Sequence, residues 1–135
     1  MIMPCEVAAK SVVPALRALV AIELTHTYRL KQNDVADLLG VTQTAVSKYV
    51  RHIRGSVLDI EGVEEIQPVV KEIAISLTNG NASRFELLRN LCRACRIARQ
   101  KGLMCELCKH SDPLIETQGC SFCMTESSLC GDDGL

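Results

Sequence analysis

The stretch 32–49, QNDVADLLGVTQTAVSKY, constrains the fold of this chain more than any other part of it. Two runs with apolar residues at helical spacing flank a single glycine, a pattern that predicts a helix, a tight turn and a second helix. Ala36 is small enough to let the two helices cross closely. Gly40 supplies the positive φ that the turn needs, and Val46 is apolar where the second helix packs back. Val35, Ala36, Leu38 and Leu39 are expected to form the buried face of the first helix. The second is expected to run from about Gln43 to Arg54, with Ala45, Val46, Tyr49 and a further candidate, Ile53, facing inward. Thr42 stands where its hydroxyl can cap that helix by accepting from a backbone N–H two or three residues on. Thr42, Gln43, Thr44, Ser47 and Lys48 are then left on its outer face.

The remaining chain has to supply partners for these helices. Residues 4–28 predict a first helix that covers their back, with Pro14 tolerated in an opening turn and Leu16, Leu19, Val20 and Leu24 forming a stripe. Gly55 and Ser56 close this unit. An acidic connector follows, in which Pro68 interrupts any helix running through from Val63. A helix is expected from Gln67 and Pro68 to Leu77, with Val69, Val70, Ile73 and Leu77 on one side. That stripe suits either packing within the chain or a seam between two copies. Ser83 and Glu86 form a capping box that opens a last helix running to Gly102. With 47% hydrophobic residues, no Trp, two Phe and two Tyr, the core is built from Val, Leu, Ile and Ala. The expectation is an all-α protein in three segments. Residues 1–56 form a helix-turn-helix unit, 57–82 a connector and possible dimerisation helix, and 83–135 a cysteine-rich segment with an acidic tail.

The net charge of −1 conceals a strong alternation. Residues 1–56 carry seven Lys/Arg against four Asp/Glu, and 83–110 carry seven against two. Residues 57–82 carry one against five, and 111–135 none against five. A near-neutral total therefore does not exclude nucleic-acid binding, which depends on whether basic segments share a face. Gln43 offers a donor and an acceptor on one planar amide and can pair bidentately with adenine N6 and N7, which makes it the best candidate base reader. Lys48, Arg51, His52 and Arg54 suit phosphate better than bases. Arg17 suits either phosphate or plain solvation.

In these residues the sequence resembles the lambda-repressor-like helix-turn-helix regulators. More closely, it is similar to a group of archaeal predicted transcriptional regulators whose N-terminal part reads much like Met3-Pro4-Cys5-Glu6, Pro14-Ala15-Leu16-Arg17-Ala18-Leu19 and Ala36-x-x-Leu39-Gly40-Val41-Thr42-Gln43-x-Ala45-Val46-Ser47-x-Tyr49. The resemblance spans roughly the first 55 residues. It implies the fold and double-stranded DNA as partner, with Gln32 near a phosphate and Gln43, Thr44 and Ser47 near bases. Regulators of this class read two half-sites, which makes a homodimer the expectation.

Cys92-x-x-Cys95, Cys105-x-x-Cys108 and Cys120-x-x-Cys123 lie within 32 residues, and each pair can clamp a metal centre through two thiolates. Residues three apart on a helix are neighbours, so Cys92 and Cys95 are expected to point the same way among Arg89, Arg93, Arg96 and Arg99, which would lower thiolate pKa values. Cys92, Cys95, Cys105 and Cys108 could form one tetrahedral zinc site. The same ligands can hold an iron–sulfur cluster. Zinc-ribbon knuckles usually carry Gly or Pro beside the cysteines, and Arg93-Ala94 and Glu106-Leu107 provide neither. The expected cofactor is an iron–sulfur cluster of the [4Fe–4S] type, with zinc as the alternative. The resembling group continues with Cys92-x-x-Cys95, a basic stretch, Gly102-Leu103-x-Cys105 and Gly119-Cys120-x-x-Cys123. Some members carry His at the position of Cys108, which raises Cys120 or Cys123 as the fourth ligand. His110 suits ligation or solvation, and Cys5 and Cys130 are left unassigned.

Together these features point to a DNA-binding transcriptional regulator, responsive to redox, iron or oxygen if the centre is redox-active. A thiol-disulfide or electron-transfer protein lacks its βαβ context here, and no Ser/His/Asp set, phosphate-binding glycine loop or small-molecule substrate site is evident, so no enzyme is expected. A zinc-stabilised RNA-binding adaptor would need more aromatic stacking platforms. The opening MIMPCEVAAK has no signal-peptide pattern. The longest apolar run, 12–24, is too short to span a bilayer and is interrupted by Arg17 and Glu23, so a cytoplasmic protein without a membrane partner is expected.

Overall fold

A computed structural model describes residues 2–52, 58–80 and 83–125, which are all-α, with no strand among them. Their organising element is α2 (Val12–His26), preceded by a separate short helix, α1 (Pro4–Lys10). The single first helix expected over this stretch is thus divided in two. Pro14 is the cause, since it has no N–H for the Lys10 carbonyl and its ring crowds that oxygen. The chain breaks at buried Ser11, whose hydroxyl donates to the Val7 carbonyl at 2.7 Å. Beyond the break, Ala15, Leu16, Ala18, Val20, Ala21 and Leu24 bury most of the circumference of α2. The alanines let neighbouring helices approach closely, and α2 packs against α1, α3, α4, α5 and α6.

Helices α3 (Gln32–Leu39) and α4 (Gln43–Val50) form the expected pair. Gly40 takes φ +69°. Its N–H bonds back to the Asp37 carbonyl while that of Val41 bonds to Ala36 at 3.0 Å, a Schellman ending that only a residue without Cβ adopts at little cost. Thr42 Oγ1 accepts the Ala45 N–H at 3.1 Å and caps α4. Val35 and Ala36 are buried from α3, and Ala45, Val46 and Tyr49 from α4. Leu38 is not: it is 36% exposed, because α3 presents only a narrow face to α2. Helix α4 ends at Val50, before Arg54, and His52 takes φ +58° beyond it. Ile53, Arg54, Gly55 and Ser56 lie outside the described residues. Because the Thr42 hydroxyl satisfies an N–H that is otherwise without an intrahelical partner, Thr42→Ala is expected to cost about 1 kcal/mol and to lower the thermal midpoint by about 4 °C in a calorimetric scan.

A one-turn 3₁₀ segment, Glu64–Ile66, leads into α5 (Gln67–Thr78), with Pro68 in the first turn. Val69, Val70, Ile73 and Leu77 are buried within the chain where α5 meets α2 and α6 (Arg84–Gln100), so a seam between two copies has to use other surface. Ser83 Oγ caps α6 by accepting the Glu86 N–H at 3.1 Å. Part of the charge alternation is spent here. Arg93 of α6 pairs with Glu72 at 2.9 Å, and Lys101 pairs with Glu65 at 3.0 Å. One buried cluster runs from Val7 to Met104 and draws residues from all three sequence segments.

Past α6, three short helices occupy a stretch in which the sequence suggests only a cysteine array: α7 (Cys105–Ser111), α8 (Pro113–Gln118) and α9 (Phe122–Thr125). Asp112 Oδ1 accepts the Leu114 N–H at 3.1 Å, and Pro113 takes the first helical position of α8, where no N–H is needed. None of the helices among the described residues is long and apolar enough to cross a membrane.

Candidate nucleic-acid interface and metal centre

Burying Ala45, Val46 and Tyr49 turns the opposite side of α4 to solvent, with Thr42, Gln43 and Thr44 exposed at its N-terminal end. Gln43 Nε2 donates to Gln32 Oε1 at 2.7 Å, so the first residue of α4 is braced against the first residue of α3. That bond fixes the amide of Gln43 and leaves its Oε1 and second N–H directed outward. Ser47 and Lys48 are half-buried, and Arg51 is exposed, with its Nε donating to the Ser47 carbonyl at 3.4 Å. The arrangement presents planar amide and hydroxyl groups at the centre of a rigid surface, with cations beside them. Arg54, expected at the same face, lies outside the described residues.

The cysteines are sorted by the path of the chain after α6. Gly102, at φ +70°, ends α6 with a second Schellman turn, in which Leu103 N–H bonds to the Ala98 carbonyl at 3.0 Å. Past this reversal α7 packs against α1 and α8, while α9 packs against α6. A Cβ on Gly102 would stand 3.6 Å from Cys105 Sγ and 3.8 Å from Met124 Sδ. Cys105 and Cys108 of α7, Cys120 before α9, Cys123 within α9 and Cys5 of α1 all line one cavity of about 410 Å³. Around them stand Met104, Ile115, Phe122 and Met124, with Arg99, Lys109 and Asp112. Arg99 is only 4% exposed, which sets a fixed positive charge beside the thiols.

Nothing matches. No protein-family model, curated protein or solved structure matches this chain.

Cys92 and Cys95 do not line that cavity. Helix α6 turns Cys92 to solvent and Cys95 toward the core, where Leu91, Ala94 and Ala98 also pack. Of the four cysteines that spacing groups, only Cys105 and Cys108 line the cavity, together with Cys120 and Cys123. Nor do the arginines form one cage, since Arg93 is engaged by Glu72 while Arg99 serves the other cysteines. Sequence spacing holds nothing that would attach Cys5 to this group. His110 is exposed and does not line the cavity, and Cys130 lies outside the described residues.

Desolvation by burial raises the Cys108 thiol above its ordinary range, and the nearby sulfurs of Cys123, Cys105 and Cys120 push it further the same way. A cation bound among them would reverse that second effect. The donor set suits such a cation, being soft thiols with a buried guanidinium to offset their charge. Among the described residues no three His, Cys, Asp or Glu side chains converge on a single ion position. Without metal, the raised Cys108 pKa carries a stability consequence. The folded chain holds that proton more tightly than the unfolded chain, so the stabilisation is full below the unfolded thiol pKa and is lost as pH rises through the folded one. In chelator, the denaturant midpoint is expected to fall from about pH 8 upward, and Cys108→Ser should flatten that decline. A decline of equal steepness in the variant would show that Cys108 is not its source.

Proposed function

We propose that this chain is a cytoplasmic, sequence-specific DNA-binding transcriptional regulator, acting as a homodimer. In this reading α3 and α4 form a helix-turn-helix, and the C-terminal thiols hold a metal centre. The observation that carries the DNA reading is the exposed Gln43–Thr44 end of α4, braced through the Gln43–Gln32 hydrogen bond and backed by buried Val46 and Tyr49. A helix entering the major groove meets base edges with its N-terminal residues, and an amide held in one orientation can discriminate between them. For the dimer, the support is exposed apolar surface on the N-terminal half of α6, at Phe85 and Leu88.

Cys105, Cys108, Cys120 and Cys123 would hold the metal centre. A [4Fe–4S] cluster is the centre we favour, with one zinc ion as the alternative. When bound, such a cluster supplies one-electron chemistry, and its loss or oxidation would alter the packing of α6, α7 and α9. That makes the protein a sensor of redox state, oxygen or iron.

The test combines selection from a random DNA pool with anisotropy titrations of the chain with and without its centre. A preferred site and steep salt dependence are expected. Binding that is indifferent to sequence sinks the regulator reading, whereas equal affinity and salt slope in the two forms leaves the centre structural. Anaerobic purification is expected to give a brown protein with broad absorbance near ~400 nm, while a colourless protein with stoichiometric zinc selects the alternative.

A further inference from the structure

Five cysteines line one cavity, where four thiolates would suffice for a metal centre, and their exposure divides them. Cys105, Cys108 and Cys123 are half-buried, whereas Cys5 and Cys120 are exposed at the cavity rim. Cys5 belongs to α1, which packs directly on α7, the helix that carries Cys105 and Cys108. We infer that Cys5 and Cys120 are alternative ligands for one coordination position, and that ligation by Cys5 tethers α1 to the metal centre. The inference rests on reading the cavity as a metal centre.

Exchange between the two is proton-neutral. The Cys5 thiol gives its proton to solvent as its sulfur–metal bond forms, and the displaced Cys120 thiolate takes one up. The consequence reaches the far side of the molecule through packed helices. Helix α1 lies against α2, and α2 packs in turn against α4 within the common core. Metal occupancy with Cys5 bound therefore stiffens the support of α4. With Cys120 bound in its place, α1 is left to its own contacts.

Cobalt(II) added to the full-length, metal-free chain tests this, because the thiolate-to-cobalt charge-transfer band grows with the number of thiolates bound. Cys5→Ser and Cys120→Ser are each expected to keep the wild-type band intensity. The double variant should lose about a quarter of it, one thiolate of four. Hydrogen exchange supplies a second readout: cobalt should protect amides 5–10 in Cys120→Ser and leave them unchanged in Cys5→Ser. If Cys120→Ser alone loses as much intensity as the double variant, or if the two single variants protect α1 equally, Cys5 is not an alternative ligand. A wild-type chain that binds no cobalt removes the metal centre itself, an outcome distinct from either of those.

Discussion

Replacing Cys108 and Cys123 together by serine is expected to abolish metal retention, from about one centre per chain to below about a tenth, while the Cys92→Ser, Cys95→Ser double variant retains it. All four of these cysteines belong to Cys-x-x-Cys pairs, so spacing alone does not separate these outcomes. Cys108 and Cys123 line the cavity from different helices, and Cys92 faces solvent. Thiolate centres in small structural sites contribute on the order of 10–16 kcal/mol of apparent binding energy at neutral pH, which is comparable to the whole stability of a domain. The loss should nevertheless be local. The core around α2 is built from aliphatic side chains of α1 to α6, so limited proteolysis is expected to cut within 103–125 and spare 12–50. Metal lost from the Cys92→Ser, Cys95→Ser variant would restore the grouping of that pair with Cys105 and Cys108.

On DNA, the largest effect is expected at Gln43. Gln43→Ala should weaken binding to the preferred site by about 1–3 kcal/mol, roughly 5- to 150-fold, and relax preference at one base pair. Gln32→Ala should cost less, since it leaves the reading amide present but releases its brace. Lys48→Ala should behave differently in kind, lowering affinity on all sequences and reducing the salt slope by about one. Titrations against the preferred site and its single-base variants, each at several salt concentrations, separate the three patterns. A Gln43→Ala chain with an unchanged sequence preference would remove α4 as the reading element.

Local chemistry made much of the chain up to the start of α6 legible. The Gly40 turn, the Thr42 cap, the Ser83 cap and the stripe on α5 each depend on residues within about one helical turn of each other, so their pattern in the sequence is already their pattern in space. Leu38 illustrates where this stops. An apolar residue at helical spacing is buried only if a neighbouring helix arrives to cover it, and α2 covers Val35 and Ala36 instead. The short helices α7 and α8 escaped notice for another reason, since seven and six residues are too few to show a period, and the one usable mark was Asp112 followed by Pro113.

What the sequence determined by itself was the helical character of the chain, the turn at Gly40, the caps at Thr42 and Ser83, and the presence of far more paired thiols than a core requires. Only the tertiary structure decided which thiols meet. Two cysteines three apart share a helix, but their partners depend on which face that helix buries and where the chain goes next. In α6 the inward stripe of Ala94, Cys95 and Ala98 leaves Cys92 outside. The turn at Gly102 brings Cys105 and Cys108 to Cys120 and Cys123, and the packing of α1 on α7 adds a cysteine from the opposite end of the chain.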